Sequence, residues 1–203
     1  MDFKAHWQNI YATKDFENVS WYQKHPKTSL RLIEECQLSK DASIIDIGGG
    51  DNYLVDALLD LGFTNITVLD ISENAINRAK KRLGQKSELV TWIVSDITEF
   101  EPTQKYDYWH DRAVFHFLVQ EEQIKAYINI VSMSVDSGGF FSIGTFSENG
   151  PNKCSGIEIK KYATQDLKTL FSDNFVEIEH FNETHPTPFD TTQEFSFVKF
   201  KRK

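Results

Sequence analysis

The chain has 203 residues, 40% hydrophobic and 13% aromatic, with a formal net charge of −8. That composition holds ample material for a core and excludes a disordered polypeptide. The acidic balance excludes a general nucleic-acid binder, which needs an excess of Lys and Arg on one face.

Phe3, Trp7, Ile10 and Tyr11 recur at helical spacing, which predicts a helix over Phe3–Ala12. Residues 13–25 read as a loop carrying Trp21 and Tyr22, and a second helix fits Lys27–Gln37 with Leu30, Ile33 and Cys36 inward. Strands and helices then alternate. Ser43–Ile47, Asn65–Leu69, Glu88–Val94 and Tyr106–His110 read as strands. Asn52–Leu61, a helix capped by Ser72, and Gln120–Met133 read as helices. Gly138-Gly139 is expected to turn into a strand at Phe140–Phe146. Leu167, Leu170 and Phe171 mark a short helix. The runs Phe175–Phe181 and Phe195–Phe200, joined by the loop Thr184–Pro188, predict a closing antiparallel hairpin.

Parallel strands need crossover connections, so this alternation predicts an α/β fold. The expected sheet is doubly wound, mostly parallel and seven-stranded, with a C-terminal antiparallel hairpin and helices on both faces. No proline- or glycine-rich linker interrupts residues 1–203, which predicts a single domain. Within it, 1–37 would be an N-terminal helical lid, 43–146 the cofactor-binding core, and 147–203 a substrate loop, short helix and hairpin. Met1-Asp2-Phe3-Lys4 lacks the apolar core of a signal peptide, and no window is long and apolar enough to span a membrane. Cys36 and Cys154 lie far apart with no metal-ligand spacing. These features predict a cytoplasmic protein with reduced thiols, no metal, and no nucleic-acid or membrane partner.

The most informative stretch is Ile44-Ile45-Asp46-Ile47-Gly48-Gly49-Gly50, followed by a second apolar run ending in Val68-Leu69-Asp70. Glycines at a strand end let the backbone approach a ligand, and an acid ending the next strand can grip a ribose diol. A dinucleotide fingerprint would place a third glycine where Tyr53 stands. Asp46, two residues before Gly48, would repel a pyrophosphate but suits a ligand carrying an ammonium and a sulfonium. The charge logic favours S-adenosylmethionine over a nicotinamide dinucleotide.

At these residues the chain resembles the class I S-adenosylmethionine-dependent methyltransferases, and the likeness runs from Ile44 onward. Asp46-Ile47-Gly48-Gly49-Gly50 matches their first motif, Asp-x-Gly-x-Gly, whose glycine loop passes beneath the methionine part of the cofactor. Asp70, with Ile71 next to it, matches the acid that holds both ribose hydroxyls. Asp96 and Ile97 match the pair that contacts adenine. Tyr106–Asp111 matches the fourth-strand motif, whose end faces cofactor and substrate, so Asp111 is a candidate for both. Each acid also has an ordinary reading: Asp70 as a turn cap before Ser72, Asp96 as a loop acid.

The cofactor would be S-adenosylmethionine, with S-adenosylhomocysteine as product. Candidates for the chemistry cluster at His110-Asp111-Arg112-Ala113-Val114-Phe115-His116. Asp111 is expected to orient a nucleophile, and His116 to accept a proton near neutral pH. Arg112 is a candidate substrate contact or an ion-pair partner, and His116 between two phenylalanines also reads as a packed core residue. Cys154, in the loop Glu148–Gly156, and the aromatics Trp21-Tyr22 are candidate substrate walls or plain packing residues.

Compact length favours a small-molecule acceptor. The alternative is a protein lysine. Trp21-Tyr22, Ser29-Leu30, Leu61–Thr67, Asp70–Ser72 and Trp92–Val94 resemble the elongation-factor lysine methyltransferases. Those enzymes carry Asp-Lys-Gly-Thr where this chain reads His110-Asp111-Arg112-Ala113. A non-catalytic, cofactor-binding regulatory protein is the remaining class.

Overall fold

The computed structural model describes residues 2–203. Six helices and nine strands follow in chain order: α1 Phe3–Thr13, α2 Lys27–Glu34, β1 Ser43–Ile47, α3 Leu54–Asp60, β2 Asn65–Asp70, α4 Glu73–Leu83, β3 Val90–Val94, β4 Tyr106–Arg112, α5 Glu121–Ser134, β5 Val135–Phe146, β6 Lys153–Cys154, β7 Ile157–Glu158, α6 Thr164–Phe171, β8 Phe175–Pro186 and β9 Thr192–Arg202. Seven strands form one sheet in the order β3-β2-β1-β4-β5-β9-β8; β6 and β7 make a separate two-stranded ribbon. β1 to β5 pair in parallel, and β9 runs antiparallel to both β5 and β8. The expected doubly wound sheet with a closing antiparallel hairpin is the observed one.

Side-chain alternation sorts the two layers. Ile44, Ile66, Val68 and Tyr108 pack with Ile33 of α2 and Leu54, Val55 and Leu58 of α3. The opposite face sets Ile45, Leu69, Trp109 and Phe141 against Ile124, Tyr127 and Val131 of α5 and Leu167 and Phe171 of α6. All five residues of β1 are buried, as expected of a central parallel strand covered on both faces.

Several boundaries differ from the sequence expectation, and three of the differences have a local physical reason. Gly138-Gly139 is not a turn: β5 runs on from α5 at Val135, and its register with β4 shifts between Tyr106 and Tyr108. Glycine is a bulge residue in strands as readily as a turn residue, and only the partner strand distinguishes the two. Thr184-His185-Pro186 belongs to β8, with Pro186 its last residue, because an edge strand tolerates a terminal proline. The third helix starts at Leu54 rather than Asn52, whose Oδ1 instead accepts the Leu54 N–H at 2.8 Å.

Candidate active site

A cavity opens along the carboxyl edge of β1 to β4, where ligands sit in open α/β sheets. Its wall includes Gly48 after β1, Asp70 and Ile71 at the end of β2, Ser95, Asp96 and Ile97 after β3, and His110 and Arg112 on β4.

The glycine turn is shaped by the acids around it. Gly48 has φ +66°, a backbone region that favours glycine, and its N–H donates to the Leu69 carbonyl at 2.7 Å. A Cβ there would lie 2.2 Å from Val114 Cγ2. One on Gly49 would lie 2.4 Å from Asp46 Oδ2, and one on Gly50 2.4 Å from Asp70 Oδ2. The backbone is therefore pressed against two carboxylates. Asp51, also buried, is neutralised by α4: Arg78 Nε lies 2.8 Å from it and Arg82 pairs with it directly. Asp70 has no such partner. Its Oδ1 accepts the Ser72 N–H at 2.8 Å, and no donor reaches Oδ2 among the described residues. Burial, with Asp46 and Asp51 close by, holds its carboxyl up at about 7.

An aromatic roof closes the cavity. Phe3, Trp7 and Tyr11 on one face of α1 line it together with Trp21 and Phe117. Trp7 meets Trp21 and Phe117 edge-on, with ring centroids 5.6 and 5.3 Å apart. Gln8 Oε1 accepts from Ser72 Oγ and the Asn74 N–H, each at 2.9 Å, so α1 is fastened to the start of α4. At its other end, Arg78 Nη1 donates to the Tyr11 and Lys14 carbonyls at 3.0 and 2.6 Å.

Behind the wall runs a buried polar chain. Asp46 Oδ1 lies 2.7 Å from His110 Nδ1, and His110 Nε2 lies 2.9 Å from Ser29 Oγ. Asn52 Nδ2 donates to the other Asp46 oxygen at 3.1 Å. His110 and Ser29 both reach the cavity. The carboxylate fixes the tautomer with hydrogen on Nδ1, leaving Nε2 to accept from the serine hydroxyl.

The structure brings Gly48, Asp70, Ile71, Asp96, Ile97, Trp21, Arg112 and Cys154 to one cavity. It holds Asp46, Gly49 and Gly50 just behind its wall. Three candidates lie elsewhere. Tyr22 packs on Phe16 and Tyr53 instead. Asp111 points to the α5 face, where it accepts from Tyr127 Oη at 2.7 Å and from the Val114 N–H at 3.0 Å. His110 and Asp111 alternate across β4, and Asp111 takes the side of Tyr127 rather than that of the cavity. His116 is fully buried, accepts the Phe146 N–H through Nδ1 at 3.2 Å, and is pushed down to about 3 by burial and by the charge of Arg112. A group so hard to protonate is a packed neutral imidazole rather than a base for neutral pH. Ser29, Trp7, Tyr11 and Phe117 are cavity residues outside the sequence candidates. The aromatic stripe Phe3, Trp7, Tyr11 at four-residue spacing is a usable signal; Ser29 enters the sequence reading only through the Ser29-Leu30 resemblance.

A family model described as a methyltransferase domain matches residues 45–141. Residues 45–141 are thus a methyltransferase domain, and the chain carries the fold of the class I S-adenosylmethionine-dependent methyltransferases. Among similar proteins, malonyl-[acyl-carrier protein] O-methyltransferase 1 of Ilyobacter polytropus is 27% identical over 174 residues, covering 85% of this chain and 61% of that protein. The chain thus spans about three fifths of the length of the first curated relatives it matches. EEF1A lysine methyltransferase 2 of Mus musculus is 26% identical over 202 residues, covering 91% of this chain and 75% of that protein. The N-methyltransferase NodS of Bradyrhizobium japonicum, solved with S-adenosylhomocysteine, shares the fold with a TM-score of 0.73 at 16% identity, covering 99% of each chain. Among the described residues no helix is long and apolar enough to cross a membrane.

Proposed function

We propose that the protein transfers a methyl group from S-adenosylmethionine to a small-molecule nucleophile. The observation that carries the reading is Asp70, a buried carboxylate with an unclaimed oxygen at the end of β2, on the wall of a roofed cavity. Such an oxygen fits a sugar hydroxyl, which donates to it and replaces the water lost on burial. Asp70 and Ile71 would hold the ribose, Asp96 and Ile97 the adenine, and the turn at Gly48 the methionine part, with Asp46 supplying negative charge from behind. When bound, the sulfonium supplies an electrophilic methyl group and most of the activation.

The chain's own residues then have three tasks. The roof of Trp7, Tyr11, Trp21 and Phe117 excludes water and holds the acceptor in line, and positioning of that kind contributes roughly 7–11 kcal/mol at its limit. Ser29 and His110 take the proton of an acceptor hydroxyl or ammonium. The serine oxygen receives it while its own proton passes to His110 Nε2, and Asp46 stabilises the resulting imidazolium. The glycine turn keeps side chains out of the cofactor's path.

A small molecule is favoured over a protein because α1 and the 13–25 segment close over the cavity. A lysine in an elongation factor is the second reading, supported by the mouse relative above. Radiolabelled methyl transfer from S-adenosylmethionine into a cell extract, split into metabolite and protein fractions, tests the reading, with Asp70→Asn as control. Label in the metabolite fraction is expected. Label in one protein band would move the assignment to the protein acceptor. Cofactor binding with no transfer anywhere would leave a regulatory binding protein.

A further inference from the structure

Arg112 ends β4 on the cavity wall with its guanidinium largely unpartnered, whereas Arg202, which also lacks an ion pair, donates to the Ser132 and Asn174 carbonyls. No carboxylate pairs with it among the described residues, whereas Arg31, Arg78 and Arg82 each pair with acids. Its Nη1 is 3.5 Å from the Trp21 carbonyl, at the outer limit of a hydrogen bond. Its Nε and Nη2 are buried with no partner. The guanidinium lies over the Phe195 ring, 4.8 Å from the centroid. Glu183, whose charge acts on it, is engaged by the Thr28 hydroxyl instead.

We propose that Arg112 is the seat of a carboxylate on the methyl acceptor, so that the substrate class is an apolar carboxylic acid. This rests on the methyl-transfer reading above and narrows it. Nε and Nη2 share one edge of the planar guanidinium and present two parallel N–H donors, which match the two oxygens of a carboxylate. A buried donor left unpaired costs stability, so a chain that keeps two in its interior keeps them for a ligand that completes them. Among the described residues, Arg112 is the one Lys or Arg on the cavity wall. A single cation with a flat fork suits a monoanion better than a phosphate. Its histidine neighbours add no charge: burial and Arg112 push His116 down to about 3 and His185 to about 4.

The cavity is also sorted by charge. Asp70 and Asp96 stand at β2 and β3, on the side that would face ribose and adenine. Arg112 stands across β1 from them and leans on Phe195 of β9. The same wall carries Trp7, Trp21, Phe117 and Cys154, whose largely apolar surfaces suit an apolar body. An alkyl or aryl acid fits that arrangement, its charge at Arg112 and its nucleophile towards Ser29.

The cofactor's own amino-acid tail also carries a carboxylate, and the experiment separates the two sources. Acetate, butyrate, benzoate and phenylacetate, each beside its primary amide, are titrated into the protein with and without S-adenosylhomocysteine, and thermal shift is read. The same is done for Arg112→Met and Arg112→Lys. Binding of S-adenosylhomocysteine and of methylthioadenosine, which lacks the tail, is measured by calorimetry for all three proteins. The larger acids are expected to raise the melting temperature where their amides do not. Arg112→Met should melt no lower than the parent, bind S-adenosylhomocysteine as the parent does, and bind the acids at least about tenfold more weakly. Equal shifts from acids and amides, or acid shifts that survive in Arg112→Met, would overturn the proposal. So would a selective loss of S-adenosylhomocysteine over methylthioadenosine in that variant, which would give Arg112 to the cofactor tail. Failure of the parent to bind S-adenosylhomocysteine would count against methyl transfer alone, because the acid–amide contrast in the free protein still judges the seat.

Discussion

Asp70→Asn is the sharpest probe of the site, because it should move stability and affinity in opposite directions. In the free protein the Asp70 carboxyl stands at about 7 against an ordinary 3.8. A raised carboxylate pKa means that the folded state holds a proton which the unfolded state has released, so stability falls as pH rises from about 4 to 7. The shift of roughly three pKa units corresponds to a ceiling of ~4 kcal/mol at 1.36 kcal/mol per unit. Local relaxation and the lost charge on the Ser72 N–H bond reduce this to an expected gain of ~1–3 kcal/mol for Asn at pH 8.5, with no gain near pH 4. Urea unfolding at the two pH values measures it. Calorimetry with S-adenosylhomocysteine should show a loss of ~1–3 kcal/mol in the variant at pH 8.5. For the parent, affinity should rise with pH up to about 7 and then level, because the ionised oxygen is the acceptor. A variant less stable than the parent at pH 8.5, or one with parental affinity, would refute the reasoning.

Other substitutions test other parts of the site. Ser29→Ala should lower turnover by about 10²-fold while sparing S-adenosylhomocysteine binding, since it removes the outer member of the proton chain; an unchanged pH–rate profile would remove Ser29 and His110 from the chemistry. Gly48→Ala combines a positive φ with a Cβ 2.2 Å from Val114, so cofactor affinity and stability should both fall, the latter by ~1–3 kcal/mol in urea unfolding. His116→Ala empties a buried ring site against Phe117 and Phe146 and should cost ~2–4 kcal/mol of unfolding free energy. Parental stability with abolished turnover would instead restore His116 as a catalytic group.

Much of this was legible in the residues. Apolar runs closed by Asp46 and Asp70, each followed by a turn, located β1, β2 and the cofactor half of the cavity, because strand ends are where a parallel sheet presents its ligands. Asp111 shows where the reading stops. Its neighbour His110 lies in the same motif, and only the parity of β4, set by its register with β1, decides which of the two faces the cavity. His116 failed for a different reason: a histidine's reactivity depends on burial and nearby charge, and both come from β5 and Arg112, remote in sequence or hidden until folded. The ribbon β6–β7 is too short to leave a period in the sequence.

Arg78 ties two parts of the site together. One guanidinium holds the carboxylate that follows the glycine turn and, by another nitrogen, the closing end of α1. If α1 lifted, the bonds to the Tyr11 and Lys14 carbonyls would break and Arg78 would keep only its hold on Asp51. The seating of the roof and the firmness of the turn beneath it would thereby be geared to one another, and on the methyl-transfer reading the cofactor would be held most firmly with α1 docked.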